Sequence, residues 1–309
     1  MTPPACAPGR VDRPARGALC KGWEAMAKRR LDTLLAERGL FPSRSRAAAS
    51  VMAGEVRVGV GERRAAKPGE MVEEGERVTV DERPSFVSRG GIKLANALES
   101  SGLSVEGRRA LDVGASTGGF TDCLLQRGAR EVIAVDVGYG ILDYRLRSDP
   151  RVRVLERTNA RALSPQMLAG EPSSAGADAS DAPPQLDLAT IDLSFISLEK
   201  VLGAVLGCLC GDYDVLALVK PQFEVGRGRV GKGGVVRAAE DRRDALVAVG
   251  RVALDLGAAV LGYHSSGLPG PKGNRETFIW LAAPTRERIG ADQMSGEEDL
   301  DRMARVVEP

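Results

Sequence analysis

The sequence predicts an α/β protein, a mostly parallel and doubly wound sheet preceded by a small module of two helices and short strands. Three observations carry this expectation. From Ala110 onward short apolar runs recur with helix-length segments between most of them, the alternation that gives a parallel sheet covered on both faces. The first run ends in a glycine-rich turn that opens a helix. Well ahead of it, Leu31, Leu34 and Leu35 fall at helical spacing and Gly39 supplies a stop.

Residues 1–27, rich in Pro, Gly, Ala and Arg without periodicity, are expected to be an unstructured extension. The module spans 28–82: the Leu31 helix, a second helix opened by Ser43 with Ala47, Ala48, Val51 and Met52 on one side, and strands at Val56–Val58 and Glu76–Val80. After a linker at 83–87, the sheet domain occupies 88–284. Its strands are expected at Ala110–Gly114, Val132–Val137, Val152–Leu155, Leu186–Leu193, Val215–Val219, Ala259–Tyr263 and Thr277–Ala282, and its helices at Gly118–Gly128, Leu198–Leu209 and Ala238–Leu256. Low complexity marks 170–184 as a flexible insertion, and 285–309 reads as a charged tail that frays.

The chain has 309 residues, 43% of them hydrophobic, and a formal net charge of +1. This composition excludes a disordered or fibrous protein. The near-neutral total hides a basic stretch: Lys28 to Arg57 holds seven basic residues against three acidic ones, which suits a polyanionic partner as well as it suits a solvated helix face. Five cysteines in no paired pattern predict a reducing compartment. Cys208 and Cys210 lack zinc spacing and are read as core residues, so no metal is expected. Without an apolar run of roughly 18 residues or a signal-like start, the expected location is cytoplasmic, with no membrane partner.

The turn Gly114-Ala115-Ser116-Thr117-Gly118-Gly119-Phe120 lets backbone approach a ligand and presents helix N–H groups. A nicotinamide-dinucleotide fingerprint would need a second glycine where Ser116 stands. Asp136 ends the next strand, the position from which a carboxylate binds a ribose diol. Asn159, in the next loop along that edge, is placed either to touch a base or to make a turn. The ligand class is adenosine-like; a tight turn with a capping Asp is the alternative.

Four more residues carry charge at informative places. Lys93 lies in a helix leading to the first strand, Asp192 and Lys220 end apolar strands, and Glu276 precedes the last one. Ligands of open α/β sheets bind outside the strands' carboxyl ends, where Asp192 and Lys220 are predicted to lie. Each residue also has a structural reading, as helix surface, cap or strand-end charge. In this order the four resemble the Lys-Asp-Lys-Glu tetrad of the ribose 2'-O-methyltransferases that share the heat-shock RNA methyltransferase (FtsJ-like) domain. Together with Arg30-Leu-Asp32, Ser43-Arg-Ser-Arg-Ala47 and Gly54-Glu-Val-Arg-Val58, and with the phrases Val87-Ser-Arg-Gly-Gly-Ile-Lys93 and Val219-Lys-Pro-Gln-Phe-Glu224, the chain resembles the TlyA haemolysin family over roughly residues 28–283.

That resemblance implies a Rossmann-like class I methyltransferase sheet, an N-terminal S4 RNA-binding domain, S-adenosyl-L-methionine as cofactor, and methyl transfer to a cytidine 2'-hydroxyl in ribosomal RNA of one or both subunits. It implies that Lys93, Asp192, Lys220 and Glu276 are catalytic. Phe86 stands where the family linker carries Trp, and the 170–184 insertion departs from the pattern. From the groups themselves, a ribose hydroxyl attacking a sulfonium methyl benefits from a nearby base. Lys220 is the expected base, Asp192 orients it, and His264 is expected to be structural. Arg30, Arg44 and Arg46 are the expected phosphate contacts. A non-catalytic RNA-binding or ribosome-assembly factor is the alternative, though it would have no need of the tetrad; a haemolysin lacks any supporting membrane segment.

Overall fold

The computed structural model describes residues 27–80, 85–169, 185–284 and 297–308. The expectations for residues 1–26, for 170–184 and for the linker's first residues lie outside these. The chain divides into two units, Met1–Arg83 and Pro84–Pro309.

In the first unit, β1 (Lys28–Arg30) leads directly into α1 (Leu31–Glu37); α2 (Arg44–Met52), β2 (Val56–Val58), β3 (Arg63–Arg64), β4 (Met71–Glu73) and β5 (Val78–Val80) follow. Ser43 caps α2 by accepting the Arg46 N–H at 3.2 Å, satisfying one of the donors a helix start leaves open. Leu31, Leu34 and Leu35 bury their side chains against Ala47, Val51, Val56 and Val72, each leucine contributing about 2 kcal/mol of apolar burial. β1 pairs antiparallel with β4, and β2 lies between β3 and β5.

The second unit runs α3 (Arg89–Ser101), β6 (Arg109–Val113), α4 (Gly119–Gln126), β7 (Glu131–Val135), α5 (Tyr144–Arg147), β8 (Val152–Leu155), α6 (Pro165–Leu168), β9 (Leu186–Ile191), α7 (Leu202–Leu206), β10 (Leu209–Val219), α8 (Pro221–Glu224), α9 (Ala239–Asp255), β11 (Ala259–Ser265), β12 (Thr277–Ala282) and α10 (Glu297–Val307). Its seven strands form one sheet in the order β11-β12-β10-β9-β6-β7-β8. Neighbours from β10 to β8 are parallel, whereas β12 runs antiparallel to both β10 and β11. Apolar clusters fill both faces, one around Leu111, Ile133, Ile191 and Val219, the other around Leu94, Leu124, Leu216 and Phe278. This is the Rossmann-like arrangement, and its strand order reverses between β6 and β9, which is where such sheets bind ligands.

Three expectations need correction. The segment from Leu198 does not run as one helix to Leu209: a 3-10 turn at Leu198–Lys200 is followed by the short α7, and β10 already begins at Leu209, with a register shift before Asp214. Cys208 is buried as expected, but Cys210 sits half-exposed at the irregular start of β10. Of the expected tail, residues 285–296 lie outside the described residues, and 297–308 do not fray, since Leu300 and Ala304 of α10 are fully buried and Glu308 pairs with Arg242 at 2.8 Å.

Candidate active site

β6 delivers the chain to the glycine turn. Gly114, at φ +88°, donates its N–H to the Val135 carbonyl at 2.8 Å. A Cβ at this position would overlap the Asp192 carbonyl, because Asp192 extends the β9 ladder by donating its N–H to Val113 at 2.9 Å. Only glycine fits, and the turn and Asp192 are thereby held side by side. Ser116, at φ +50°, donates its N–H to Asp136 Oδ2 at 2.8 Å; the other oxygen of Asp136 accepts from Gly138 at 2.7 Å. Thr117 accepts from the Asp143 N–H at 3.2 Å. Gly118, at φ +99°, caps α4, and a Cβ there would run into Leu142 and Leu146. Gly119 packs against Ser88 and Gly91. Phe120 is buried, its ring tilted against Phe278 at 5.7 Å, so it forms the inner wall of the turn.

Asn159 does the turn work weighed from the sequence: its Oδ1 accepts the Arg161 N–H at 3.0 Å. Asn159 also lines a cleft of about 460 Å3 that runs from Gly114 past Asp136 to Asp192. A second cleft of about 410 Å3 lies on the other side of Gly114, toward Ser88 and Lys93. A cradle with no Cβ, a carboxylate at the end of the neighbouring strand and an amide beyond it fit an adenosyl ligand by shape and by polar groups.

The remaining charges meet in a third cleft, of about 470 Å3, lined by Lys93, Asp192, Lys220 and Glu276. All four predicted residues are brought together. Pro221 ends β10 and starts α8, which leaves Lys220 at the strand's carboxyl end. Its Nζ lies 2.5 Å from Asp192 Oδ1, a charge pair. Lys220 Nζ also donates to Ser194 Oγ at 3.1 Å. Lys93 Nζ donates to Glu276 Oε2 at 2.5 Å, and both residues are buried. Glu276 reaches this edge because β12 is antiparallel, so that its start lies beside the carboxyl ends of the parallel strands.

Beneath the turn, Asp112 is fully buried and accepts from Thr121 Oγ1 at 2.7 Å and Thr190 Oγ1 at 3.1 Å. Burial pushes its carboxyl up to about 6, the two hydroxyls opposing the shift and nearby Asp192 adding to it. Sequence reasoning missed three further residues. Phe195 is 91% exposed, holds φ +67° and meets the Phe223 ring at 5.4 Å. Ser194 fixes the lysine. Glu224 ties the loop after β9 to α8, accepting from Ser197 Oγ at 2.7 Å and the Leu198 N–H at 3.0 Å, and burial raises its carboxyl. Asp-Leu-Ser-Phe after an apolar strand was the available signal for the first two. His264, by contrast, touches Ser100 at 3.0 Å and the Trp280 ring at 5.9 Å, and burial lowers its pKa.

The geometry agrees with what the chain is similar to. Residues 86–283 match the FtsJ-like methyltransferase family, and residues 29–78 match the S4 domain. The chain is an FtsJ-like methyltransferase with an S4 domain. S-adenosylmethionine is accordingly its methyl donor. This FtsJ-like methyltransferase is 48% identical, over 86% of its length and 94% of the relative's, to the 16S/23S rRNA (cytidine-2'-O)-methyltransferase TlyA of Mycobacterium tuberculosis. It is 36% identical to Hemolysin A of Brachyspira hyodysenteriae, over 80% of this chain and 97% of that one. A solved structure from Streptococcus thermophilus superimposes with a TM-score of 0.62 at 38% identity, covering 91% of this chain and 96% of the other. Among the described residues no helix is long and apolar enough to cross a membrane.

In the S4 unit, Arg30 donates to both oxygens of Asp32, at 3.2 and 2.8 Å, and Arg44 approaches the same carboxylate at 3.2 Å. Arg46 is exposed on the same helix as Arg44.

Proposed function

We infer that this methyltransferase acts on the 2'-hydroxyl of a cytidine ribose in ribosomal RNA, and that Lys93, Asp192, Lys220 and Glu276 carry the chemistry. The observation that supports this most is the convergence of two lysine–carboxylate pairs, each at 2.5 Å, on one cleft beside the glycine cradle. The names of the similar proteins support the substrate.

When bound, S-adenosylmethionine supplies an electrophilic sulfonium methyl. The chain must then align a weakly nucleophilic hydroxyl and accept its proton. Lys220, fixed from two sides by Asp192 and Ser194, receives it as the neutral amine, after its ammonium has given up a proton to solvent against the pull of Asp192. Asp192, which lines all three clefts, links the cofactor cradle to that amine. Lys93, locked on Glu276, adds a fixed positive charge to the wall and positions the ribose. Phe195 offers an exposed ring at the lip for a base turned out of an RNA helix. Asp136 and Asn159 take the adenosine side. In the S4 unit, Asp32 holds Arg30 and Arg44 with their side chains about half exposed, at 47% and 57%, and with Arg46 they contact phosphates.

Ribose-methylation mapping by mass spectrometry, on ribosomal RNA from cells with and without this protein, tests the reading. A 2'-O-methylcytidine that disappears with the protein is the expected result. Unchanged ribose methylation on both large RNAs contradicts it.

A further inference from the structure

Beside the catalytic cleft the sequence Gly226-Arg-Gly-Arg-Val-Gly-Lys-Gly-Gly234 has no part in the chemistry above, and its structure is specific. Gly231 bridges Val235 antiparallel, and the Gly234 N–H donates to the Gly231 carbonyl at 3.0 Å. With Gly233 at φ +85°, this closes a tight turn that carries Lys232 at its exposed tip. A second turn, Gly270-Pro271-Lys272-Gly273, closes through the Gly273 N–H to Gly270 at 2.9 Å and carries Lys272.

One buried side chain joins the two turns. Asn274, 2% exposed, accepts the Val236 N–H at 2.9 Å through Oδ1 and donates to the Gly234 carbonyl at 2.8 Å through Nδ2. Its own carbonyl accepts the Gly270 N–H at 2.8 Å. Lys272 lies across the hairpin: a Cβ on Gly234 would stand 3.6 Å from its Cδ and 3.7 Å from its Nζ. Lys272, Asn274, Val230 and Gly234 all line the tetrad cleft.

The charges are left available. Arg227, Lys232 and Lys272 are exposed and meet no carboxylate among the described residues. Arg229 of the same hairpin is neutralised by Asp241 and Asp244, and Arg242 by Glu308. Glycine backbone at the tips allows an anion to come close, and lysines act as mobile point charges.

Building on the RNA reading above, we propose that the two lysine turns stapled by Asn274 are a phosphate clamp for the RNA strand next to the nucleotide in the cleft, with Lys232 and Lys272 on the turns and Arg227 ahead of them as its contacts. Asn274 is a positioning residue; it carries no charge and sets the spacing of the two lysines.

The test is binding of a ribosomal RNA transcript by the full chain, followed over roughly 50 to 200 mM KCl. For Arg227→Ala/Lys232→Ala/Lys272→Ala the slope of log K against log salt becomes shallower by about 2, each lost phosphate contact accounting for roughly 0.7 to 0.9. Asn274→Ala, which removes no charge, lowers the slope in the same sense. S-adenosylmethionine affinity stays within a few-fold of wild type in both and serves as the folding control. A wild-type slope in the triple variant overturns the clamp. A shallower slope in the triple variant with a wild-type slope in a folded Asn274→Ala overturns the positioning role. Methyl transfer by the wild-type chain is read separately: its absence removes the proposed function while the binding slopes still decide the clamp, and its presence with unchanged slopes removes the clamp alone.

Discussion

Asp32 in the S4 unit and Asp112 in the methyltransferase unit are both nearly closed to solvent, 3% and 0% exposed, yet their carboxyl groups behave in opposite ways. Asp32 faces two guanidinium groups, and its hydrogen bonds to Arg30 hold it down at about 2. Asp112 has only two threonine hydroxyls, and burial pushes it up to about 6. Depth and partner together set the charge: Asp112 lies in the core without a cation, while Asp32 lies under two half-exposed arginines. In the tetrad cleft the carboxylates have lysines as partners. An arginine keeps its proton through any reaction, which suits a surface meant for phosphates; a lysine in a cleft can give up or receive one, which suits chemistry.

The comparison breaks most visibly at the buried pair. Glu276→Gln keeps the shape and leaves the Lys93 ammonium without its counter-ion, at a cost of about 3 kcal/mol in unfolding free energy. Adding Lys93→Met recovers most of that stability, while methyl transfer stays lost in both variants. Denaturant titration alongside a transfer assay checks this, and a Glu276→Gln cost below about 1 kcal/mol would mean that water already relieves the pair.

Asp112 and Asp32 predict opposite pH trends. Because the folded pKa of Asp112 is raised, its ionisation opposes folding above pH 6, and the cost fades as pH falls from about 6 toward 4. Asp112→Asn should therefore stabilise the chain at pH 8 by on the order of 2 kcal/mol, with the gain shrinking below pH 6. Asp32 has a depressed folded pKa, so its contribution is present above pH 4 and is lost as pH falls toward 2. Unfolding curves of wild type and Asp112→Asn at several pH values decide this; a gain independent of pH would show that the Asp112 carboxyl titrates in the fold as it does in the unfolded chain.

Much of this molecule was legible before its structure. Each central strand was marked by its apolar run, and Gly114 and Asp136 by their places after β6 and β7. Asp192 and Lys220 stood at the carboxyl ends of apolar strands, where open α/β sheets bind ligands, and the resemblance to a Lys-Asp-Lys-Glu tetrad set them apart from their structural readings. Glu276 and Lys93 were harder to place. Strand direction is not written in an apolar run, and the antiparallel course of β12 is what carries Glu276 to the cleft shared with Lys93, Asp192 and Lys220. Ser194, Phe195 and Asn274 work from loops, where no period advertises a role. The helix at Glu297–Val307 was misread because its buried residues, Leu300 and Ala304, are few among acids and arginines. β10 extends back to Leu209 through Gly211 and Asp212, residues with poor strand propensity that are overridden by pairing of Leu209 with Leu186.

Single-turnover methyl transfer by purified Lys220→Ala, with S-adenosylmethionine binding measured on the same sample, tests the central claim most directly. Transfer to ribosomal RNA is predicted to be abolished while cofactor affinity stays within a few-fold of wild type. Transfer at the wild-type rate would remove Lys220, and with it the two-pair cleft, from the mechanism.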